Sequence, residues 1–443
     1  MKRLFKNIYL EFRFFIGLIV LAFLFIMAFQ FPGLLIISKT LFVVFVAITL
    51  VDSILLFKLK GIEATRVLPE KLSNGDENPI DIKILNKHPF NVALNLIDEL
   101  PFQYQKRDFQ INTHIKKGAE KKITYTLRPL ERGEYHFGHL NIYTTSPIGL
   151  ISRRYQFGQN AMVPNYPSFL QLKKYMLIAF SNKIFEFGLK KIRRIGHTME
   201  FEQIKDYVPG DDIRNINWKA TAKRNQLMVN QFQDERSQPI YSVIDKGRSM
   251  KMPFDGLSLL DYAINATLVI SNVALKKQDK AGMFSFSRKV ENKVVAERRP
   301  SQMNQILETL YNLNTDFSES DFSRLYIDIK RNLTQRSLLL LYTNFETLDA
   351  LHRQLSYLQA IAKNHVLVVI FFENTELEKL TLKESDSTYD IFEKTIAEKF
   401  VYEKKLIVNE LQKHGIQSIL TPPEDLTINT INKYLEIKAR GLI

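Results

Sequence analysis

The chain has no cysteine among its 443 residues. That excludes a disulfide scaffold, thiolate metal sites, iron–sulfur clusters and a cysteine nucleophile. It has no GxGxxG and no Walker A pattern at a strand-to-helix junction, so nucleotide binding of those kinds is not expected. A GxSxG elbow is also missing, which argues against an α/β-hydrolase. Tryptophan occurs once, as Trp218. Acidic residues are outnumbered, 47 against 61 Lys+Arg, for a net charge of +14. That excess is spread rather than striped: +5 in residues 1–60, +3 in 61–160, +5 in 161–240 and +1 in 241–443. The basic runs Lys190-Lys191-Ile192-Arg193-Arg194, Lys223-Arg224 and Arg298-Arg299 are short. Nucleic acid is therefore not expected as a partner, and a solvated or lipid-proximal surface is the simpler reading.

Apolar length is concentrated at the start. Phe14 to Phe31 carries no charge, and Leu34 to Phe57 is interrupted only by Lys39 and Asp52. Each is long enough to cross a hydrocarbon core of ~30 Å, and Pro32-Gly33 between them marks a tight turn. The pattern predicts a transmembrane hairpin over residues 1–60. Lys39 near the turn can snorkel, and Asp52 either reaches the interface or faces the partner helix. Lys2, Arg3, Lys6 and Arg13 precede the first span, and Lys58, Lys60 and Arg66 follow the second. The positive-inside rule then places both flanks in the cytoplasm. The expected location is a membrane, with the lipid bilayer as one partner and the rest of the chain as cytoplasmic domains.

Residues 61–165 alternate with period two in short runs, such as Ile80-Asp81-Ile82-Lys83-Ile84 and Val92-Ala93-Leu94-Asn95-Leu96. Turn residues such as Asn74-Gly75, His88-Pro89 and Arg132-Gly133 separate the runs. This predicts a small all-β, sandwich-like domain. His136 and His139 lie close in sequence, but without neighbouring carboxylates they read as strand-edge histidines rather than metal ligands.

Residues 166–235 read as a linker and a distinctive segment, and residues 236–443 as an α/β domain. Strands are expected at 239–245, 281–286, 337–342, 366–372 and 416–420. Helices are expected at 259–275, 302–313, 321–333, 348–362, 389–413 and 431–439. Continuous apolar runs such as Leu338-Leu339-Leu340-Leu341 suit a parallel sheet buried on both faces. Alternating β and α units predict a doubly wound sheet, whose ligand crevice lies beyond the carboxyl ends of its strands.

The first of those strands runs into Asp245-Lys246-Gly247-Arg248-Ser249. The loop resembles the Asp-x-Ser-x-Ser loop of von Willebrand factor A domains, where an Asp and two hydroxyls hold Mg²⁺ with a Thr and an Asp from other loops. Asp245 and Ser249 match that pattern, and Thr315 is the candidate for the second-loop Thr. Gly247 stands where the first Ser belongs, and Asn344 where the family usually has Asp. A degenerate metal site is therefore expected at Asp245, Ser249 and Thr315, with no cofactor as the main expectation and Mg²⁺ as the alternative. Restoring Ser at 247 and Asp at 344 is the substitution test that this reading suggests.

The segment Tyr207-x-Pro209-Gly210-Asp211-Asp212-x-Arg214-x-Ile216-x-Trp218-Lys219-Ala220-x-Ala222 carries the most specific pattern. It predicts a turn with an Asp capping a helix that starts near Ile213. It also resembles the signature of the domain-of-unknown-function family 58, membrane-anchored bacterial proteins that combine a hairpin, a β domain and a von Willebrand A-like domain. Arg132-Gly133-x-Tyr135 and Ser146-Pro147-Ile148-Gly149-Leu150 resemble further elements of that family, with Ser146 where Asp is common. The resemblance implies that the membrane is a bacterial inner membrane. It also implies partnership with a MoxR-type AAA+ ATPase in complex assembly or envelope stress, and leaves room for other membrane proteins as partners.

Two roles compete for the signature. Trp218 can be a buried anchor, with Asp211, Asp212 and Arg214 as a capping and ion-pair network. Alternatively Asp211, Asp212, Arg214, Trp218 and Lys219 form a partner-docking face. No catalytic residue is assigned, because Asp211-Asp212 has no neighbouring His or metal cluster. The expected function is a membrane-tethered, non-enzymatic adaptor. The alternatives are an Mg²⁺-dependent protein-binding module and a membrane-bound hydrolase.

Overall fold

The computed structural model describes residues 7–58, 61–158, 160–170, 200–209, 211, 213, 216–233, 237–382 and 387–442. The basic run 190–194 lies outside them, as do Asp212 and Arg214. The chain divides into two compact units, 1–166 and 167–443.

The first unit begins with strand β1 (Ile8–Leu10) and two apolar helices, α1 (Phe12–Gln30) and α2 (Leu34–Phe57). Both helices are long and apolar enough to cross a membrane by length and composition. They pack closely where Gly17 leaves room for the Phe45 ring; a Cβ there would come within 2.6 Å of it. Small residues allow such approach where apolar side chains alone provide little preference for one register. Ser38 Oγ bridges the pair, donating to the Leu34 carbonyl (2.9 Å) and the Leu24 carbonyl (3.3 Å).

The β domain follows, as β2 (Ile62–Val67), β3 (Leu72–Ser73), β4 (Asn78–Asn86), β5 (Val92–Asp98), β6 (Gln110–Ile115), β7 (Glu120–Leu127), β8 (Gly133–Phe137), β9 (Leu140–Thr145), β10 (Ile151–Phe157) and β11 (Ala161–Tyr166). They form sheets of order β1-β10-β9-β5-β6, β2-β4-β7 and β3-β11-β8. The period-two pattern holds residue by residue: Ile80, Ile82 and Ile84 are buried on β4, while Asp81 and Lys83 are not. These isoleucines share one core with Leu94, Leu96 and Phe137.

An element absent from the sequence reading is β1. It pairs antiparallel with β10, Tyr9 opposite Ser152, so the chain enters α1 directly from the β-domain sheet. The exit from α2 is tied to the same region. Asp52 is fully buried and accepts hydrogen bonds from Ser146 Oγ, Leu150 N (3.0 Å) and Ile151 N (3.1 Å). Arg153 donates to the Leu56 carbonyl (2.7 Å), filling an orphan acceptor at the end of α2. Asp52 therefore faces the β domain rather than the partner helix. The Ser at 146 is also explained, since an Asp there would oppose the Asp52 carboxylate.

The second unit opens with the ribbon β12 (Glu200–Asp206) and β13 (Met228–Gln233), which embraces helix α3 (Trp218–Arg224). Then come β14 (Pro239–Asp245), a short hairpin β15 (Pro253–Phe254) and β16 (Leu257–Ser258), α4 (Leu259–Lys276), β17 (Lys280–Phe286), β18 (Val290–Glu297), α5 (Gln302–Tyr311) and α6 (Phe322–Asn332). The chain ends with β19 (Leu338–Tyr342), α7 (Leu348–Asn364), β20 (Val366–Phe372), α8 (Thr375–Leu382), α9 (Thr388–Lys413), β21 (Gln417–Thr421) and α10 (Leu426–Ala439).

The main sheet has order β18-β17-β14-β19-β20-β21, parallel except for the β18 edge. Its central strands are buried throughout, and alternate side chains feed two cores. Leu338, Leu340 and Tyr342 join α4, α5 and α10, while Leu339 and Leu341 join α6, α7 and α9. Besides the short hairpin β15–β16, the sequence reading missed two elements of the α/β unit. One is β18, a half-exposed edge strand; the other is α8, a short helix with no fully buried residue. Both lack the apolar runs that marked their neighbours.

Candidate functional site

The sheet order reverses between β14 and β19: β17 and β18 lie on one side of β14, and β19 to β21 on the other. The carboxyl ends of these two strands carry Asp245 and, just past β19, Thr343 and Asn344. Loops beyond such ends are free to differ in an α/β sheet, and ligand crevices form there.

Asp245 is 2% exposed. Its Oδ1 accepts from Gly247 N (2.8 Å) and from Ser320 Oγ, and its Oδ2 from Thr343 Oγ1 (2.7 Å). Burial pushes its carboxyl above the usual carboxylate range, against the pull of those three donors. Among the described residues, the hydroxyls that reach Asp245 are those of Ser320 and Thr343, not Ser249 or Thr315. Gly247 explains the exchange. A Cβ at 247 would lie 2.2 Å from Ser320 Oγ, 3.0 Å from the Ser318 carbonyl and 3.1 Å from Asp245 Oδ1. Ser320 thus fills the space that a serine at 247 would need. The sequence could not show this, because the substitute hydroxyl comes from a loop 75 residues away.

A second carboxylate sits next to this centre. Asp316 accepts from Ser287 Oγ and Ser318 N (3.1 Å), and Lys246 Nζ stands 4.0 Å away while also pairing with Glu291. Partial burial raises Asp316, but the hydrogen bonds and the Lys246 charge outweigh it and hold its carboxyl below its ordinary value. The result is a closed polar network. Mg²⁺ needs several oxygens with lone pairs to spare in near-octahedral order. Both oxygens of Asp245 are already engaged, Asn344 Oδ1 accepts from Lys404 (2.7 Å), and Lys246 brings a cation next to the centre. These residues do not fit that ion. Among the described residues, no group of three or more His, Asp or Glu side chains is arranged to hold a metal.

One residue beyond Thr343 the surroundings open. Lys404 on α9 donates to Asn344 Oδ1 and to the Phe345 carbonyl (2.6 Å). Burial pushes its amine down to about 8, although Glu346 pulls the other way. It lines a cavity of ≈ 560 Å³ together with residues of α8, α9 and the segments after β19 and β20. Neither Lys404 nor this cavity was found from sequence. The only trace is the stripe Tyr389, Phe392, Ile396 and Phe400, which reads equally as a core-facing helix side.

The signature segment is placed only in part, since Asp212 and Arg214 lie outside the described residues. Asp211 pairs with Lys205 Nζ (2.9 Å) and accepts from Val208 N (3.1 Å). Those contacts, that of Lys205 foremost, hold its carboxyl below the usual range. The α-helix begins at Trp218 rather than near Ile213, and its cap is Asn217, whose Oδ1 accepts from Ala220 N (3.0 Å). Trp218 is 69% exposed and so is no buried anchor. Lys219 is exposed beside it, as are the apolar side chains of Val208, Ile213 and Leu227.

In the β domain, Arg66 pairs with buried Asp98, which also accepts from Tyr125 Oη. Burial raises the Asp98 carboxyl despite the arginine. His136 meets Glu134 at 3.4 Å and His139 Nδ1 meets the Gly158 carbonyl at 2.9 Å, so the two histidines serve separate contacts.

Residues 203–383, from the signature through α8, match the family described as "Protein of unknown function DUF58". Over those residues, less than half of its length, the chain is similar to that family. It is similar to the uncharacterized protein YeaD of Bacillus subtilis (strain 168), with 25% identity over 260 residues. That match covers 57% of this chain and 63% of the relative's length. Among solved structures, a PapD-like domain of human CEP192 covers 23% of this chain and 86% of its own, with 12% identity and a TM-score of 0.18. Proximal thread matrix protein 1 of the mussel byssus covers 45% of both chains, with 9% identity and a TM-score of 0.27. Likenesses this weak carry no argument.

Proposed function

We propose that the chain is a membrane-tethered, non-enzymatic docking protein. In this reading α1 and α2 anchor it in a bacterial inner membrane, with both units on the cytoplasmic side. The second unit is a von Willebrand A-like, doubly wound domain that receives a MoxR-type AAA+ ATPase. Five parallel strands, one antiparallel edge strand and helices feeding two cores support the domain type. The union of β1 with β10, together with Asp52 at the other end of the hairpin, supports having both ends of the hairpin on one membrane face. The partner class comes from the resemblance of the signature to family 58.

The observation that carries the docking role is Trp218. A lone tryptophan held 69% exposed on a short capped helix, in a segment that also exposes Val208, Ile213 and Leu227, gains most of its burial when a partner covers it. The Mg²⁺-dependent module is less favoured because Asp245 is capped by hydroxyls. A hydrolase is less favoured because Asp211 is engaged by Lys205 and Val208.

The test is cross-linking and affinity purification of the full-length protein from membranes, with Trp218→Ala alongside at matched abundance. Recovery of an AAA+ ATPase with the native chain, lost in the variant, is the expected result. Equal recovery from both removes the signature from the docking face, and recovery of no ATPase from either removes the partner class. The substitution itself should change stability by no more than about 0.5 kcal/mol, since the side chain is mostly in solvent.

A further inference from the structure

The cavity beside Lys404 is walled by apolar side chains that remain open to solvent. On α9, Tyr389 is 69% exposed, Phe392 63%, Ile396 39% and Phe400 38%; Leu380 on α8 faces the same space. Their spacing of three, four and four residues is a single helix stripe, about 17 Å long. Such a stripe on a surface helix ordinarily packs on its own core, and here it lines a groove. A small molecule would cover only part of it. The charges in the same wall are those of three carboxylates, Glu346, Glu373 and Glu393, against the one ammonium of Lys404, whose hydrogen bonds go to neutral acceptors, Asn344 and the Phe345 carbonyl. The unspent charge is therefore negative.

That sign chooses the occupant. Anionic lipid headgroups would be repelled, and a second copy would set carboxylates against carboxylates. We infer that this groove receives an amphipathic helix of a partner protein, with apolar residues three and four apart and Lys or Arg on its flanks. The inference rests on the docking reading and names a surface for it other than the signature segment. Burial raises the Glu373 carboxyl, with Glu378 adding to it and Lys405 only partly offsetting it, so a cationic flank would further relieve a carboxylate that is costly to keep charged there. The groove also abuts the sheet ends, because Asn344, the acceptor of Lys404, directly follows Thr343, the donor to Asp245. An occupant would thus sit one residue from the Asp245 network.

A photoreactive benzoyl-phenylalanine placed at Phe392, and separately at Ile396, in the full-length membrane protein tests this in cells. Mass spectrometry then reads the cross-linked peptide itself. The expected adduct is a peptide of another protein with apolar residues spaced three and four apart and a net positive charge. Its yield should fall about tenfold when Glu346, Glu373 and Glu393 are all changed to Gln, exposed or half-exposed positions whose substitution leaves the fold intact. Adducts on lipid, on a second copy of the chain, or on peptides without that pattern overturn the assignment, as does no adduct at all or a yield indifferent to the three Gln. If a partner is recovered equally with the native chain and with Phe392→Asp, only the groove is wrong. If the native chain recovers no protein partner at all, the docking reading itself fails.

Discussion

Thr343 and Asn344 are neighbours in sequence, yet they serve two opposite environments. Thr343 donates to Asp245, a carboxylate closed off by hydroxyl and amide donors. Asn344 accepts from Lys404, an amine lining an open apolar groove. A strand end that points successive side chains to opposite faces allows this. The carboxylate has three donors and no access, so it acts as a structural tie between the loops after β14, α5 and β19. The ammonium has two acceptors and low-dielectric walls, so its charge is costly and its surroundings are suited to change when something binds. Burial alone does not mark a functional group. What distinguishes the two is how completely each is satisfied.

The largest expected effect breaks the closed side of this comparison. Asp245→Ala leaves Gly247 N, Ser320 Oγ and Thr343 Oγ1 without their acceptor, and should destabilise the second unit by about 3–5 kcal/mol. Denaturant unfolding of the full chain in nanodiscs measures this; a loss under about 1 kcal/mol would mean that the network is not a tie.

Next comes Gly247→Ser, the substitution that the sequence suggested as a restoration. The structure shows that this position is crowded. The new Cβ meets Ser320 Oγ, so the variant should lose about 1–3 kcal/mol, and adding Ser320→Ala should recover most of it. Additive losses in the double variant would show that the two sites do not share the space.

Lys404→Met probes the open side through pH. The folded chain loses the Lys404 proton near 8, while an unfolded lysine keeps its proton to about 10.5. Between those values the unfolded state binds more protons, so this group makes stability rise with pH. The native chain should therefore gain about 1–3 kcal/mol relative to Lys404→Met from pH 8 to 10.5. Parallel stability–pH curves for the two proteins would refute the depressed amine.

The smallest effect is that of Asn344→Asp. It converts the hydrogen bond to Lys404 into an ion pair, with a stability change within about 1 kcal/mol because desolvation offsets attraction. The opposite charge should raise the amine above its present value of about 8, which ε-ammonium NMR titration would report. A falling amine value would mean that Asn344 does not face Lys404.

Much of the fold was legible because local physics repeats along the chain. Ile80-Asp81-Ile82 alternates because one face of β4 meets a core, and Leu338 to Leu341 does not alternate because β19 is covered on both faces. Helix starts were legible where a cap was local, as at Ser258 and Ser387, each with an Asp three residues on. The cap at Asn217 was misread because Pro209-Gly210-Asp211 carries a stronger turn signal nearby. Candidate-site residues fared worse. Asp245, Ser249 and Thr315 were grouped as a degenerate metal site because sequence offers only neighbours and motif slots, whereas the hydroxyls on Asp245 in the structure come from Ser320 and Thr343. Trp218 could be ranked as unusual, but not as exposed.

By itself, then, the sequence determined the two apolar stretches, the β domain and the alternating α/β unit, because periodicity, turn residues and composition act over short stretches. Only the tertiary structure decided that β1 closes onto β10, that Asp52 holds the Ser146 loop, that Ser320 replaces a serine at 247 and that Lys404 borders an open groove. Each of these depends on groups tens of residues apart meeting in one place, where excluded volume, burial and hydrogen-bond satisfaction are set by packing.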